Sequence, residues 1–252
     1  MASVLWQDLT AEELRGKAAR DAIVVLPVAS VEQHGPHLPV GVDTVLCSGV
    51  CKAAAERAED VELVVAPTLW CGMAEHHMAF GGTFTFDIPT YRAVLLALLK
   101  SIERHGFHRV LIVNGHGGNI AALTAFLPDF ARETSLSIRA TTYFLLAQQE
   151  MAPFMEDQTS VMHACEVETA MMMAIAPDLV RDARLPEAFG MRDADPAALM
   201  RPTVARYRPF REMTETGVIG DARKATPEKG GAFLDAAADA LARLLRERGD
   251  HA

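Results

Sequence analysis

Aromatic residues are scarce in this chain: 2 Trp, 3 Tyr and 11 Phe among 252 residues, although half of all residues are apolar. A core built from Ala, Leu and Val instead suits an α/β enzyme. There is no basic run, and the formal net charge is −9. That balance excludes nucleic acid as the main partner, because a phosphate backbone needs a cationic surface. No apolar run approaches the ~20 residues a membrane-spanning helix requires. Residues 1–20 lack a charged segment followed by an apolar one and a cleavage site, so no secretory leader is expected and no membrane contact. Only four cysteines occur, Cys47, Cys51, Cys71 and Cys165. In a chain this long they read as reduced thiols rather than a disulfide framework, and the expected compartment is the cytoplasm. No internal repeat or low-complexity tract is visible. The length allows one large domain or two small ones, with a substantial core in either case.

What is present is an alternation. Strand-like runs recur at 22–28, 61–66, 109–114 and 137–144. Helix-like stretches lie between them at 44–58, 89–105 and 120–133, and an amphipathic helix follows at 226–248. Pro128 predicts a kink or an early break in the third of these helices. Alternating strands and helices imply an α/β fold: a mostly parallel central sheet with helices on both faces. Residues 181–220 have no clean periodicity and read as a long excursion, a lid or a subunit contact. In open parallel sheets, ligands collect beyond the carboxyl ends of the strands. The polar motifs of this chain fall in that position.

The first is Glu32-Gln33-His34-Gly35-Pro36-His37, just after the first strand, with Asp43 one short loop on. In an extended segment Glu32 and His34 project to the same side. An imidazole beside carboxylates begins a divalent-metal site, although a polar loop leaving a strand would look similar. The second is Asn114-Gly115-His116-Gly117-Gly118-Asn119, after the third strand. Glycines around His116 let the backbone turn sharply and approach a ligand closely. A phosphate-binding turn is the rival reading, but the spacing is not G-x-G-x-x-G and no Lys-Ser/Thr pair follows. The third is His163-Ala164-Cys165-Glu166-Val167-Glu168-Thr169. If all of it is helical, His163 and Glu166 share a face and Glu168 points away; if His163 precedes the helix, that constraint lapses. Acidic residues also favour helix N-termini on electrostatic grounds alone, so one glutamate needs no other role. Glu75-His76-His77 is a weaker signal: His76 or His77 could serve as a ligand, but a substrate-pocket contact or an ordinary loop histidine is the preferred reading.

Together these motifs, running from Leu26-Pro27-Val28-Ala29-Ser30-Val31-Glu32-Gln33-His34-Gly35-Pro36-His37 to Gly217-Val218-Ile219-Gly220-Asp221 and Ala225-Thr226-Pro227-Glu228-Lys229-Gly230, resemble the creatininase family. The resemblance implies one three-layer α/β/α domain over residues 1–252, assembled as a homohexamer. It implies a metal-dependent amidohydrolase with two divalent ions per subunit, zinc foremost, with manganese or iron as alternatives. Carried over by motif, Glu32, His34, Asp43 and His116 are ligands, Asp43 bridging both ions, and His163 is the acid–base residue. Glu75, His76 and Gly117 are assigned to the substrate. Two departures stand out. Creatinine-hydrolysing members resemble N-G-H-x-E-N at the second motif, and their glutamate is a ligand; this chain has Gly118 there. Glu168 is the replacement, with Glu166 its competitor. Cys165 stands where a glycine is usual.

The chemistry so implied is hydrolysis of a C–N bond in a small amide, a lactam or formamide among them, with metal-activated water as nucleophile. Relatives that cleave a peptide terminus or open a cyclitol ketone supply the alternative, which Gly118 keeps open. A non-catalytic metal-binding scaffold is the remaining one.

Overall fold

Four parallel strands form the frame of the computed structural model, which describes residues 3–156, 158–191, 204 and 206–247. They are β1 (Ile23–Val28), β2 (Leu63–Val65), β3 (Arg109–Asn114) and β4 (Ser137–Thr142), in the order β2-β1-β3-β4. β1 and β3 pair along their whole length, from Ile23 opposite Arg109 to Val28 opposite Asn114. Both are nearly continuous apolar runs because both faces of a parallel sheet are covered.

The two-residue period of the strands sorts their side chains into two cores. The first α-helix is α1 (Ala11–Ala19); Val25, Val65, Leu111 and Val113 pack with α2 (Val42–Arg57) and with the helices Glu166–Ile175 and Pro227–Arg246. Val24, Leu26, Val64 and Ile112 pack on the other face with α3 (Ile88–Arg104) and α4 (Ile120–Glu133). Fully buried residues such as Leu95, Leu99 and Leu111 each contribute about 1.5–3 kcal/mol. The result is a three-layer α/β/α arrangement.

Helix ends follow local chemistry. The Asp87 side chain accepts from Thr90 N and Pro89 lies in the first turn of α3. Thr226 caps the last helix through Lys229 N, again with a proline in the first turn. Both patterns satisfy amide donors that a helix start leaves open.

Two sequence expectations need correction. Pro128 does not end α4, which continues to Glu133. Buried Leu123, Phe126 and Phe130 anchor the helix before and after it, outweighing a proline cost of about 3 kcal/mol. The fourth strand stops at Thr142; Tyr143–Leu146 is a helical turn whose Tyr143 and Phe144 are buried in the core. Of the excursion 181–220, residues 192–203 and 205 lie outside the described residues. Its near end forms a short pairing of Phe189–Gly190 against Gly220–Asp221.

Because β1, β2 and β3 run the same way, the loops that leave them meet at one edge of the sheet. There the three polar motifs come together.

Candidate metal centre

β1 ends at Val28, and the loop beyond it carries Glu32 and His34 into the interior. α2 opens at Val42, so Asp43 sits in its first turn, buried. His116 follows β3 directly. The helix Glu166–Ile175 starts after Cys165, so His163 precedes it, and the rule that set Glu168 on the wrong face does not apply. Ala164 adopts a left-handed φ of 51°, and its N–H donates to Glu168 Oε2 at 2.5 Å.

Around Asp43 the side chains divide into two sets. His116 Nδ1 lies 3.1 Å from Glu32 Oε2 and 3.1 Å from Asp43 Oδ2. His34 Nε2 lies 3.1 Å from Asp43 Oδ1 and 3.8 Å from Glu168 Oε2. The two oxygens of Asp43 thus face different histidines. Glu166 is elsewhere: it pairs with Lys229 at 2.6 Å and accepts from Glu156 N at 3.1 Å.

The protonation pattern decides what this cluster needs. A carbonyl oxygen only accepts hydrogen bonds, so a ring nitrogen beside one must carry the proton. His34 Nδ1 is 3.1 Å from Glu32 O, and His116 Nε2 is 3.2 Å from Met73 O. In each neutral ring the other nitrogen, the one facing the carboxylates, is therefore a bare lone pair. Lone pair against carboxylate at 3.1 Å is repulsive unless a cation lies between them. Glu32 Oε1, Glu32 Oε2, His34 Nε2 and Asp43 Oδ2 are all buried without an aligned hydrogen-bond partner among the described residues. Histidine ligands held through a backbone carbonyl, opposite paired carboxylates, fit divalent ions.

Without metal, protons take that place. Burial works against a cationic His34, but Asp43, Glu168 and Glu32 overcome it and raise its pKa to about 9. Burial also opposes charge on His116, yet Glu32 and Asp43 hold it well above the usual imidazole range. Glu168 is pushed up to about 7, chiefly by burial. His163 goes the other way: burial and the nearby His34 drive it well below its ordinary value, so it is neutral. Its Nε2 is 2.8 Å from Gln33 O, leaving Nδ1 toward Glu32 Oε1 at 3.6 Å. Its side chain is 13 % exposed, against 1 % for Glu32, so it is reachable from the adjoining cavity.

That cavity, of about 1010 Å³, is lined by Glu32, Asp43, His116, His163 and Glu168 on its floor. Glu75, His76 and Gly117 also line it. Burial lowers the pKa of His76 to about 4, so that ring is neutral. Arg206, Tyr207, Arg208 and Phe210 form part of the wall; Arg208 Nε is buried with no hydrogen-bond partner among the described residues. Gly118 cannot be other than small: a Cβ there would lie 2.4 Å from Met73 O and 2.4 Å from His116 Nε2. A glutamate on this loop would displace its neighbours, and the carboxylate beside His34 comes from Glu168 instead.

Two residues at the site have roles that the sequence does not announce. His77, weighed only beside His76, is buried with Nε2 3.2 Å from Glu32 Oε1. Gln33 stands inside the first motif, and its amide lies between His77 and His163. The adjacency of Gln33 to Glu32 and His34 was the available signal.

Fold and cluster define the class: an α/β protein with a carboxylate–imidazole metal-type centre at the carboxyl edge of its parallel sheet. The chain belongs to the creatininase family, whose model, described as creatinine amidohydrolase, matches residues 7–245; it is a creatininase-family hydrolase. It is 28 % identical to the creatinine amidohydrolase of Pseudomonas putida over 97 % of both chains. It is 27 % identical to the 3-dehydro-scyllo-inosose hydrolase of Thermotoga maritima, covering 97 % of this chain and 83 % of that one. The mycofactocin precursor peptide peptidase of Mycobacterium tuberculosis is 29 % identical over 88 % of this chain and 84 % of its own. Among solved structures, a mutant creatininase of Zn-Zn type superposes with a TM-score of 0.78 at 26 % identity, covering 98 % of each chain. A structure named creatininase Mn gives 0.75 at 26 %, covering 97 % of this chain and 98 % of the other.

Proposed function

We propose that this chain is a dinuclear-metal amidohydrolase that cleaves a C–N bond in a small amide. The observation that carries the reading is the pair of imidazole nitrogens, His34 Nε2 and His116 Nδ1, each aimed at a different oxygen of Asp43. Glu32, Asp43 and His116 would hold one ion; His34, Asp43 and Glu168 the other. Zinc fits this imidazole and carboxylate set, and manganese is the alternative. When bound, such ions acidify a water and polarise a carbonyl oxygen.

The protein's own groups do the rest. His163, neutral at rest and bare at Nδ1, accepts a proton there from the attacking water and delivers it to the departing nitrogen. Gln33 O holds the opposite ring nitrogen, so the ring presents one atom to the reaction. Phe210, with its ring centroid 4.8 Å from that of His163, helps exclude water from the proton's path. Gly117 lets the substrate approach His116, while Glu75 and His76 border it. Arg206 and Arg208 on the wall favour an amide that also carries an anionic group.

A second reading, cleavage at a peptide terminus, is favoured by one feature: the cavity of about 1010 Å³ leaves room beyond a small amide for a longer chain. Opening of a cyclitol ketone uses the same centre. The test is turnover of creatinine, lactams, formamides, short peptides and cyclitol ketones by zinc- and manganese-loaded protein. Turnover of an amide supports the proposal; turnover confined to peptides or to ketones moves the assignment to the second reading. Absence of turnover with every substrate and both metals contradicts catalysis. The proposal also carries one domain over 1–252, a cytoplasmic location and a homohexamer, the last tested by native mass measurement.

A further inference from the structure

The hydrogens around Gln33 can be counted. Its Oε1 accepts from Gly35 N at 2.9 Å, which fixes the orientation of the amide. Its Nε2 then has two hydrogens and three neighbours: His77 Nδ1 at 3.0 Å, His163 Nε2 at 3.0 Å and Gly217 O at 3.1 Å. His163 Nε2 has another use, because Gln33 O lies 2.8 Å from it and can only accept. The amide hydrogens therefore go to Gly217 O and to His77 Nδ1. The close approach is built in. A Cβ at Gly217, where φ is +81°, would fall 2.0 Å from Gln33 Oε1.

We infer that Gln33 is a positioning residue that sets opposite polarities on the two histidines flanking Glu32: His77 presents an Nε2 proton to Glu32 Oε1, and His163 presents a bare Nδ1. The inference rests on the metal-centre reading given above and concerns which atoms of the chain serve it. His77, His163 and Glu32 each offer an atom within 4.8 Å of the others, so by distance alone they form a third candidate ligand group. The proton count removes His77 from it. A neutral imidazole that accepts at Nδ1 carries its hydrogen on Nε2, and a protonated nitrogen does not bind metal. His77 Nε2 instead stands 3.2 Å from Glu32 Oε1, a close electrostatic contact rather than an aligned hydrogen bond, and Oε2 is left for the ion beside His116. Outer partners of this kind orient a ligand carboxylate and tune the metal it binds. His163, on the same oxygen at 3.6 Å, remains the group with room for a proton.

The test is nitrogen-15 NMR of the imidazole rings in the metal-free full chain, followed by zinc binding in competition with a chromophoric chelator. Wild type should show His77 and His163 both bare at Nδ1 and protonated at Nε2; a His77 ring protonated at Nδ1 overturns the inference. Gln33→Glu keeps the shape but has no hydrogen to give. It should move the His77 proton to Nδ1, leave His163 unchanged, and weaken zinc binding by about 10- to 100-fold. His77→Phe, which removes the donor without touching Gln33, should weaken zinc binding to a similar degree. An unchanged His77 ring in Gln33→Glu, or unchanged zinc affinity in both variants, overturns it. The wild-type spectrum stands even if a variant does not fold. Neither readout requires turnover, so an inactive protein with the expected rings would contradict the proposed function alone.

Discussion

Glu166 and Glu168 are two residues apart, both buried, and only one of them faces the metal-type centre. Replacing each by glutamine keeps volume and removes charge, which separates the two roles. Glu168 Oε2 is 3.8 Å from His34 Nε2. A unit charge at that distance from a cation is worth about 4 kcal/mol at an effective dielectric constant of 20. Loss of an outer partner alone costs about 10- to 100-fold in metal affinity, so loss of a direct ligand should reach or exceed about 100-fold, or ~2.7 kcal/mol. Glu168→Gln should therefore retain one ion per chain after dialysis against a mild chelator, where wild type retains two. Its metal-free form should unfold no more easily than wild type. Burial raises the Glu168 pKa to about 7, so this carboxylate is already costly in the absence of metal. Glu166→Gln is the opposite case. It weakens a buried pair with Lys229, which keeps Glu156 as a second partner. Stability should fall by about 2–3 kcal/mol, short of the ~3–5 kcal/mol for a fully orphaned buried charge. Both ions should remain. Elemental analysis by mass spectrometry and denaturant titration read the two outcomes. If Glu166→Gln sheds an ion while Glu168→Gln keeps both, the division of roles is wrong.

Three further outcomes follow from the same geometry. His34 titrates at about 9 and Glu168 at about 7 without metal, both above their ordinary 6.5 and 4.5. A raised pKa stabilises the folded protein at low pH, and the stabilisation is lost as pH climbs through the folded value. Above pH 7, where the depressed His76 and His163 no longer contribute because they are neutral in both states, the metal-free protein should thus melt at lower temperature as pH rises toward 9, while zinc affinity increases over the same range with release of protons, measurable by calorimetry in buffers of different ionisation enthalpy. His163→Gln should lower kcat by about 10²- to 10⁴-fold with both ions retained; unchanged kcat would remove His163 from the proton path. Arg208→Ala should raise KM for substrates bearing a carboxylate more than for neutral amides, and equal effects on both would show that the wall does not read charge.

Much of the centre was legible in the chain because its parts sit in short motifs at strand ends. Glu32, His34 and Asp43 fall within fifteen residues after β1, and His116 two residues after β3. A parallel sheet must bring those loops to one edge. The choice between Glu166 and Glu168 was not legible. It depends on where the helix begins, at Cys165, and on Lys229, supplied by the first turn of the last helix. Cys165 itself closes the turn that carries His163, its Sγ accepting from Met162 N at 3.4 Å. The pairing of Gln33 with His77 is not legible in the sequence either, because it too is a tertiary contact. Their meeting is a contact between two loops 44 residues apart, with no periodicity to announce it. Local propensity also misread two elements. Tyr143 and Phe144 look like strand residues but complete the core from a helical turn, and Pro128 is carried by a helix with buried anchors around it.

The central claim is that this chain holds two ions joined by Asp43. Crystals of zinc-loaded protein measured at the zinc absorption edge test it directly. Two anomalous peaks should appear per chain, one beside Glu32 Oε2, His116 Nδ1 and Asp43 Oδ2, the other beside His34 Nε2, Glu168 Oε2 and Asp43 Oδ1. A single peak, or a second peak held by Glu166 or His77 instead of Glu168, would contradict the account.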